Sequence, residues 1–130
     1  VVSVFEVDNY KRFLKAWIEA RPKGGRGESR KIATRLGLST TLVSQVLNGE
    51  KHFTMEAASD LTEHLGLPER ETDHFLLLVD FARAGSVGLK ARLKKRIDTS
   101  RELARKLTER VERDRDLTET EAATYYSHWV

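Results

Sequence analysis

The run Thr40-Thr41-Leu42-Val43-Ser44-Gln45-Val46-Leu47-Asn48 carries two chemistries at helical spacing. Val43, Val46 and Leu47 follow the i, i+3, i+4 pattern of a face turned into a core. Thr40, Thr41, Ser44, Gln45 and Asn48 fall on the other face, and all five are short hydroxyl or amide side chains. An idle solvated helix carries a mixture of Lys and Glu there. Uncharged groups of this kind suit base edges: an amide such as Gln45 bridges N6 and N7 of adenine, while hydroxyls and Thr methyls reach base edges and thymine. These five are the candidate base readers. Packing would demand Val43 and Val46 whatever the outer face did, so only the outer face points to a ligand.

This helix has no Lys or Arg of its own, so affinity for a polyanion must be supplied from outside it. Ser29, Arg30 and Lys31 at the start of the preceding helix, Ser39 at the N-terminus of the reading helix, and Lys51 and His52 just beyond it are the candidate phosphate contacts. The local charge agrees. Between Arg21 and Lys51 the bases Arg21, Lys23, Arg26, Arg30, Lys31, Arg35 and Lys51 face only Glu28 and Glu50. The stretch from Met55 to Asp80 is acidic, and the whole chain is only +3. The loop from Lys23 to Arg26 reads either as a phosphate-tracking arm or as a mobile glycine-rich loop. Leu42 reads either as a thymine contact or as a contact with a neighbouring helix.

Elements that position these groups follow from periodicity and punctuation. Asp8 or Asn9 caps a first helix with Tyr10, Phe13, Leu14, Trp17 and Ile18 inward, ended by Pro22 and the glycines after it. Ile32, Ala33 and Leu36 form the inner face of a short second helix, stopped by Gly37. Ser39 caps the third helix, Thr40 to Asn48, which Asn48-Gly49 closes. Thr54 caps a fourth, with Met55, Ala58, Leu61 and Leu65 inward, ended by Gly66-Leu67-Pro68. Pro68 opens a fifth that runs to about Ala84; Phe75 to Ala82 are apolar nearly all round, as in a central strut or a dimer contact. A long charged helix from Leu89 to about Arg115 follows, and Thr118-Glu119-Thr120-Glu121 has the capping-box pattern of a further short helix. No segment alternates as a strand does. The expected fold is all-α: a five-helix DNA-binding domain over 1–86, a long charged helix over 87–117, and the start of a terminal helix over 118–130.

Two short helices joined by a tight glycine turn are the geometry that presents a recognition helix to the major groove. The segment from Ser29 to Gly49 resembles the lambda-repressor/Cro-like, or XRE-type, helix-turn-helix family in Ala33, Gly37, Ser39, Val43, Ser44, Asn48 and Gly49. The resemblance implies double-stranded DNA as partner and a sequence-specific bacterial transcription regulator, bound as a homodimer to a pseudo-palindrome. Phe13-Leu14-Lys15-Ala16-Trp17, His52-Phe53-Thr54, Phe75 to Val79 and the ending Tyr125-Tyr126-Ser127-x-Trp129 also resemble the N-terminal part of a family of bacterial proteins. In these an XRE-like domain is joined through a charged helix to a C-terminal domain of unknown function. That likeness, the aromatic ending and the absence of an initial Met imply a fragment, with a further domain or partner beyond Val130.

Along the long helix Leu93, Ile97, Ser100, Ala104, Leu107 and Val111 alternate four and three apart, as a heptad seam requires. Leu93, Ile97, Ala104, Leu107 and Val111 are the candidate dimer contacts. A second DNA-contacting surface, or a spacer with a solvated face carrying Arg101-Glu102, Arg105 and Glu109, are the other readings of this helix.

Other classes of function find little support. The chain has no Cys, which removes disulfides, thiolate metal sites and thiol nucleophiles and suits a cytoplasmic setting. No apolar run reaches membrane-spanning length, and Val1 to Phe5 is too short for a signal peptide. Gly25-Arg26-Gly27 follows no strand and lacks the Gly-Lys-[Ser/Thr] ending of a phosphate-binding loop. His52, His64, His74 and His128 have no ligand-like spacing, and no pair of carboxylates stands out as acid and base. The expectation is therefore a binding protein, not an enzyme, with no metal or cofactor. Besides a regulator, the chain admits a non-specific architectural DNA protein and a protein-interaction adaptor with a vestigial helix-turn-helix.

Overall fold

The computed structural model describes residues 2–127, with side chains described over 2–121. Among the described residues there is no strand, and the protein is all-α. Its helices are α1 (Tyr10–Glu19), α2 (Glu28–Leu36), α3 (Thr40–Asn48), α4 (Met55–Leu65), α5 (Glu69–Arg83) and α6 (Val87–Ser127). Four of them start where a short polar side chain accepts from an amide that has no partner inside the helix. Asn9 Oδ1 accepts from Lys11 N at 2.8 Å, Ser39 Oγ from Leu42 N at 3.0 Å, Thr54 Oγ1 from Ala57 N at 3.1 Å, and Ser86 Oγ from Leu89 N at 3.1 Å. Ser86 starts α6 at Val87, two residues earlier than its apolar pattern indicates.

The chain divides into two compact units, Val1–Ile97 and Asp98–Val130. In the first, α2 packs on α3 and α4, α4 on α5, and α1 on both α3 and α5. Tyr10, Phe13, Leu14, Ile32, Val43, Val46, Phe53, Leu61, Phe75 and Leu78 are all buried in one core. Each large side chain of this kind contributes about 1.5–3 kcal/mol by leaving water. The Phe75 ring takes edge contacts from Tyr10 at 5.8 Å and Phe13 at 6.0 Å. A 3-10 turn, Val4–Glu6, precedes α1 and packs on α5, burying Val4 through a reciprocal Ser3–Glu6 cap. Periodicity is silent about so short an element.

The loop after α1 packs back on that helix. It forms a 3-10 turn, Pro22–Gly25, against α1. Gly25 is buried at φ +83, and a Cβ there would lie 2.1 Å from the Ile18 carbonyl oxygen. Only glycine fits.

Two expectations about the C-terminal helix are corrected. Leu93 and Ile97 are 5% and 3% exposed within the first unit, so the domain's own core occupies that part of the expected dimer seam. This is why the first unit reaches Ile97 and not residue 86. Further along, Ala104 and Leu107 are half-buried, while Leu103, Val111 and Leu117 are exposed. The separate terminal helix from Thr118 does not exist, because α6 continues through that residue to Ser127. A Thr-x-x-Glu pattern caps only where the chain enters from extended backbone. Here the preceding turn is already helical, and Thr118 Oγ1 donates back to the Asp114 carbonyl at 2.9 Å. The aromatic ending, Tyr125 to Val130, lies outside the residues with described side chains. No helix among the described residues is long and apolar enough to cross a membrane.

Candidate nucleic-acid interface

The turn between α2 and α3 sets the direction of α3. Gly37 takes φ +67, which lets its N–H donate to Thr34 O at 3.3 Å and the Leu38 N–H to Ala33 O at 2.9 Å. Leu38 packs on the core beside this turn, and Ser39 opens α3. Val43, Val46 and Leu47 are buried, whereas Thr40, Thr41, Ser44, Gln45 and Asn48 are all exposed. At about 100° per residue, those five occupy one continuous arc of about 140° in the order Thr40, Ser44, Asn48, Thr41, Gln45. Leu42 is half-buried, and its covered part packs on the core.

The loop leaving α3 is clamped from the far end of the sequence. Lys11 on α1 donates through Nζ to the carbonyls of Gly49 and Lys51, each at 2.7 Å. Tyr10 Oη and His52 Nδ1 are 2.8 Å apart, and Arg83 on α5 donates to the Phe53 carbonyl at 2.8 Å. Burial lowers the pKa of Lys11, with the nearby charge of Lys15 adding to the effect and Glu50 opposing it. Burial also lowers the pKa of His52, helped by the positive charges of Lys11, Arg83 and Lys90. The Tyr10 phenol is pushed up to about 12, again by burial. Both shifts favour the uncharged forms, so the Tyr10–His52 contact joins a phenol to a neutral imidazole.

Of the expected phosphate contacts, Arg30 and Lys51 are exposed, as is Lys31, whose ammonium is 3.5 Å from Glu28. Ser29 is half-buried. Ser39 uses an oxygen lone pair on the Leu42 amide, and its hydroxyl proton remains able to donate. His52 is half-buried and engaged with Tyr10, which makes it part of the loop's anchorage. Lys51 Nζ donates to Gln45 Oε1 at 2.9 Å, joining one expected anchor to one expected reader.

Sequence reasoning placed α1 but missed what its basic residues adjoin. Its Lys11, Arg12 and Lys15 line a groove shared with Asn48 and Gly49 at the end of α3. The signal was a basic cluster beside the apolar stripe of that helix, overshadowed by the denser charge between Arg21 and Lys51. Three histidines lie against aromatic rings: His52 with Tyr10 at 5.8 Å, His64 with Trp17 at 5.9 Å, and His74 with Phe5 at 4.6 Å. Among the described residues, no group of three His, Asp or Glu is arranged to hold a metal ion. Fold and site together define an all-helical protein that exposes an uncharged polar helix face flanked by bases. No protein-family model, curated protein or solved structure matches the chain.

Proposed function

We propose that this chain is a sequence-specific DNA-binding transcription regulator of lambda-repressor-like design, with α2 and α3 as its helix-turn-helix and α3 as the recognition helix. The observation that carries this reading is the exposed arc of α3, where five hydroxyl and amide groups stand together without a charged residue. A surface helix that only needs solvent gains nothing from such a composition, whereas hydroxyl and amide groups can pair with base edges. Lys51 meets the arc at Gln45, and Arg30 and Lys31 are exposed on α2; these bases supply phosphate contacts that fix register without reading sequence. Two copies, joined through Ala104, Leu107 and Val111 of α6, place two recognition helices in successive major grooves, with half-sites about 10 bp apart. The protein works by binding, in the cytoplasm, where bacterial DNA is reached.

Selection from random duplexes, followed by binding at two salt concentrations, tests this. The expected result is an enriched pseudo-palindrome. Lys31→Ala should weaken all sequences alike and reduce the slope of log affinity against log salt by about 1, leaving base preference intact. Near-equal affinity for every duplex with a steep salt dependence would replace the proposal with an architectural protein. Absence of duplex binding at low salt would replace it with a protein-interaction adaptor.

A further inference from the structure

Gln45 and Lys51 lie on either side of the end of α3, with their side chains joined at 2.9 Å. An ammonium only donates, so the end of the amide that faces it is the oxygen. The contact is supported from behind. Lys11 holds the Lys51 carbonyl and that of Gly49, and the next residue, His52, is tied to Tyr10. Both heads of the pair remain exposed.

Reading adenine requires an amide to donate and accept at once, its NH2 to N7 and its oxygen from N6. With the oxygen committed to Lys51, the group that Gln45 offers outward is its NH2, with the ammonium beside it. Toward a base edge Gln45 therefore offers donors only. In the major groove guanine alone presents two adjacent acceptors, O6 and N7, to a donor group; thymine presents the single acceptor O4 beside its methyl, and adenine and cytosine each present an amino donor. We infer that Gln45 reads guanine through its NH2, with Lys51 as the positioning residue that sets the hydrogen-bonding sense of Gln45. The inference rests on the DNA-binding reading above, and it replaces the adenine contact expected from Gln45 alone.

The test uses the full chain and pairs of duplexes differing at one base pair. The relevant position is the one whose preference disappears in Gln45→Ala. Unmodified protein should favour guanine over adenine there by about tenfold or more. Lys51→Met should move the preference to adenine, and Lys51→Arg, which keeps a donor against the oxygen, should retain guanine. In the Gln45→Ala background, Lys51→Met should lower affinity equally for all bases. Three outcomes overturn the inference: adenine selected by the unmodified protein, guanine retained in Lys51→Met, or a Lys51-dependent base preference without Gln45. If the unmodified protein selects no sequence at all, the regulator reading itself fails, and the two failures are told apart. Thermal melts of each variant check the fold, which exposed side chains should leave in place.

Discussion

Replacing Lys11 by Met removes one ammonium, keeps most of the aliphatic stem, and asks how firmly α1 holds the loop behind the recognition helix. Lys11 donates to two carbonyls, Gly49 and Lys51, at 2.7 Å each. Hydrogen bonds from a charged donor contribute about 1.5–3 kcal/mol apiece. Two effects reduce their sum. Burial of the ammonium, which lowers its pKa, already offsets part of the gain. Gly49 and Lys51 are themselves exposed, so water can replace the lost donor at their carbonyls. The net loss should be about 2 kcal/mol, lowering the Tm of a unit this size by about 10 °C. Urea unfolding followed by circular dichroism measures it, and the slope against denaturant should not change. Arg12→Met, an exposed neighbour on the same helix, should stay within about 0.5 kcal/mol of the unmodified protein. A Lys11→Met loss no larger than that control would refute the clamp.

Three further outcomes are expected. The pKa of His52 is lowered in the folded protein, so the unfolded chain binds its proton first; the stability from neutral His52 is full above about pH 6.5 and is lost as pH falls below it. His52→Asn should flatten that acid limb in urea midpoints taken between pH 7.5 and pH 5, and an unchanged limb would exclude His52 as its source. Gly25→Ala puts a Cβ against the Ile18 carbonyl at positive φ and should cost about 3 kcal/mol or more, whereas Gly24→Ala, at positive φ in open space, should cost about 1 kcal/mol. Equal costs in denaturant titrations would contradict the packing of that turn. Leu107→Glu combined with Val111→Glu should leave the first unit's unfolding unchanged, abolish dimers in sedimentation, and reduce binding to a palindrome but not to a half-site. A variant that still sediments as a dimer would remove α6 from the interface.

Most of the first unit was legible because its signals are local. The caps at Asn9, Ser39 and Thr54, the left-handed turn at Gly37 and the inner stripes of α2, α3 and α4 all depend on residues within about four positions of one another. The polar arc of α3 follows from the same periodicity, since Val43, Val46 and Leu47 turn inward and leave the five short polar groups outside. Where one local pattern serves two environments, the reading failed. The four-and-three spacing of Leu93 and Ile97 suits a partner helix and a home core equally, and the core was nearer. Thr118 was offered an N-cap role and a place inside a helix by the same four residues, and the turn before it decided.

Sequence by itself determined an all-helical chain, the position of α3, and which of its side chains face solvent, because i, i+3, i+4 burial and end capping are encoded within single turns. Only the tertiary structure decided what stands behind that face. Lys11 reaches Gly49 and Lys51 across 38 and 40 residues, and Tyr10 reaches His52 across 42, separations over which periodicity carries no information. Gln45 and Lys51 are six apart, a spacing outside the helical pairs, and they meet because the chain turns at Gly49 under the hold of Lys11.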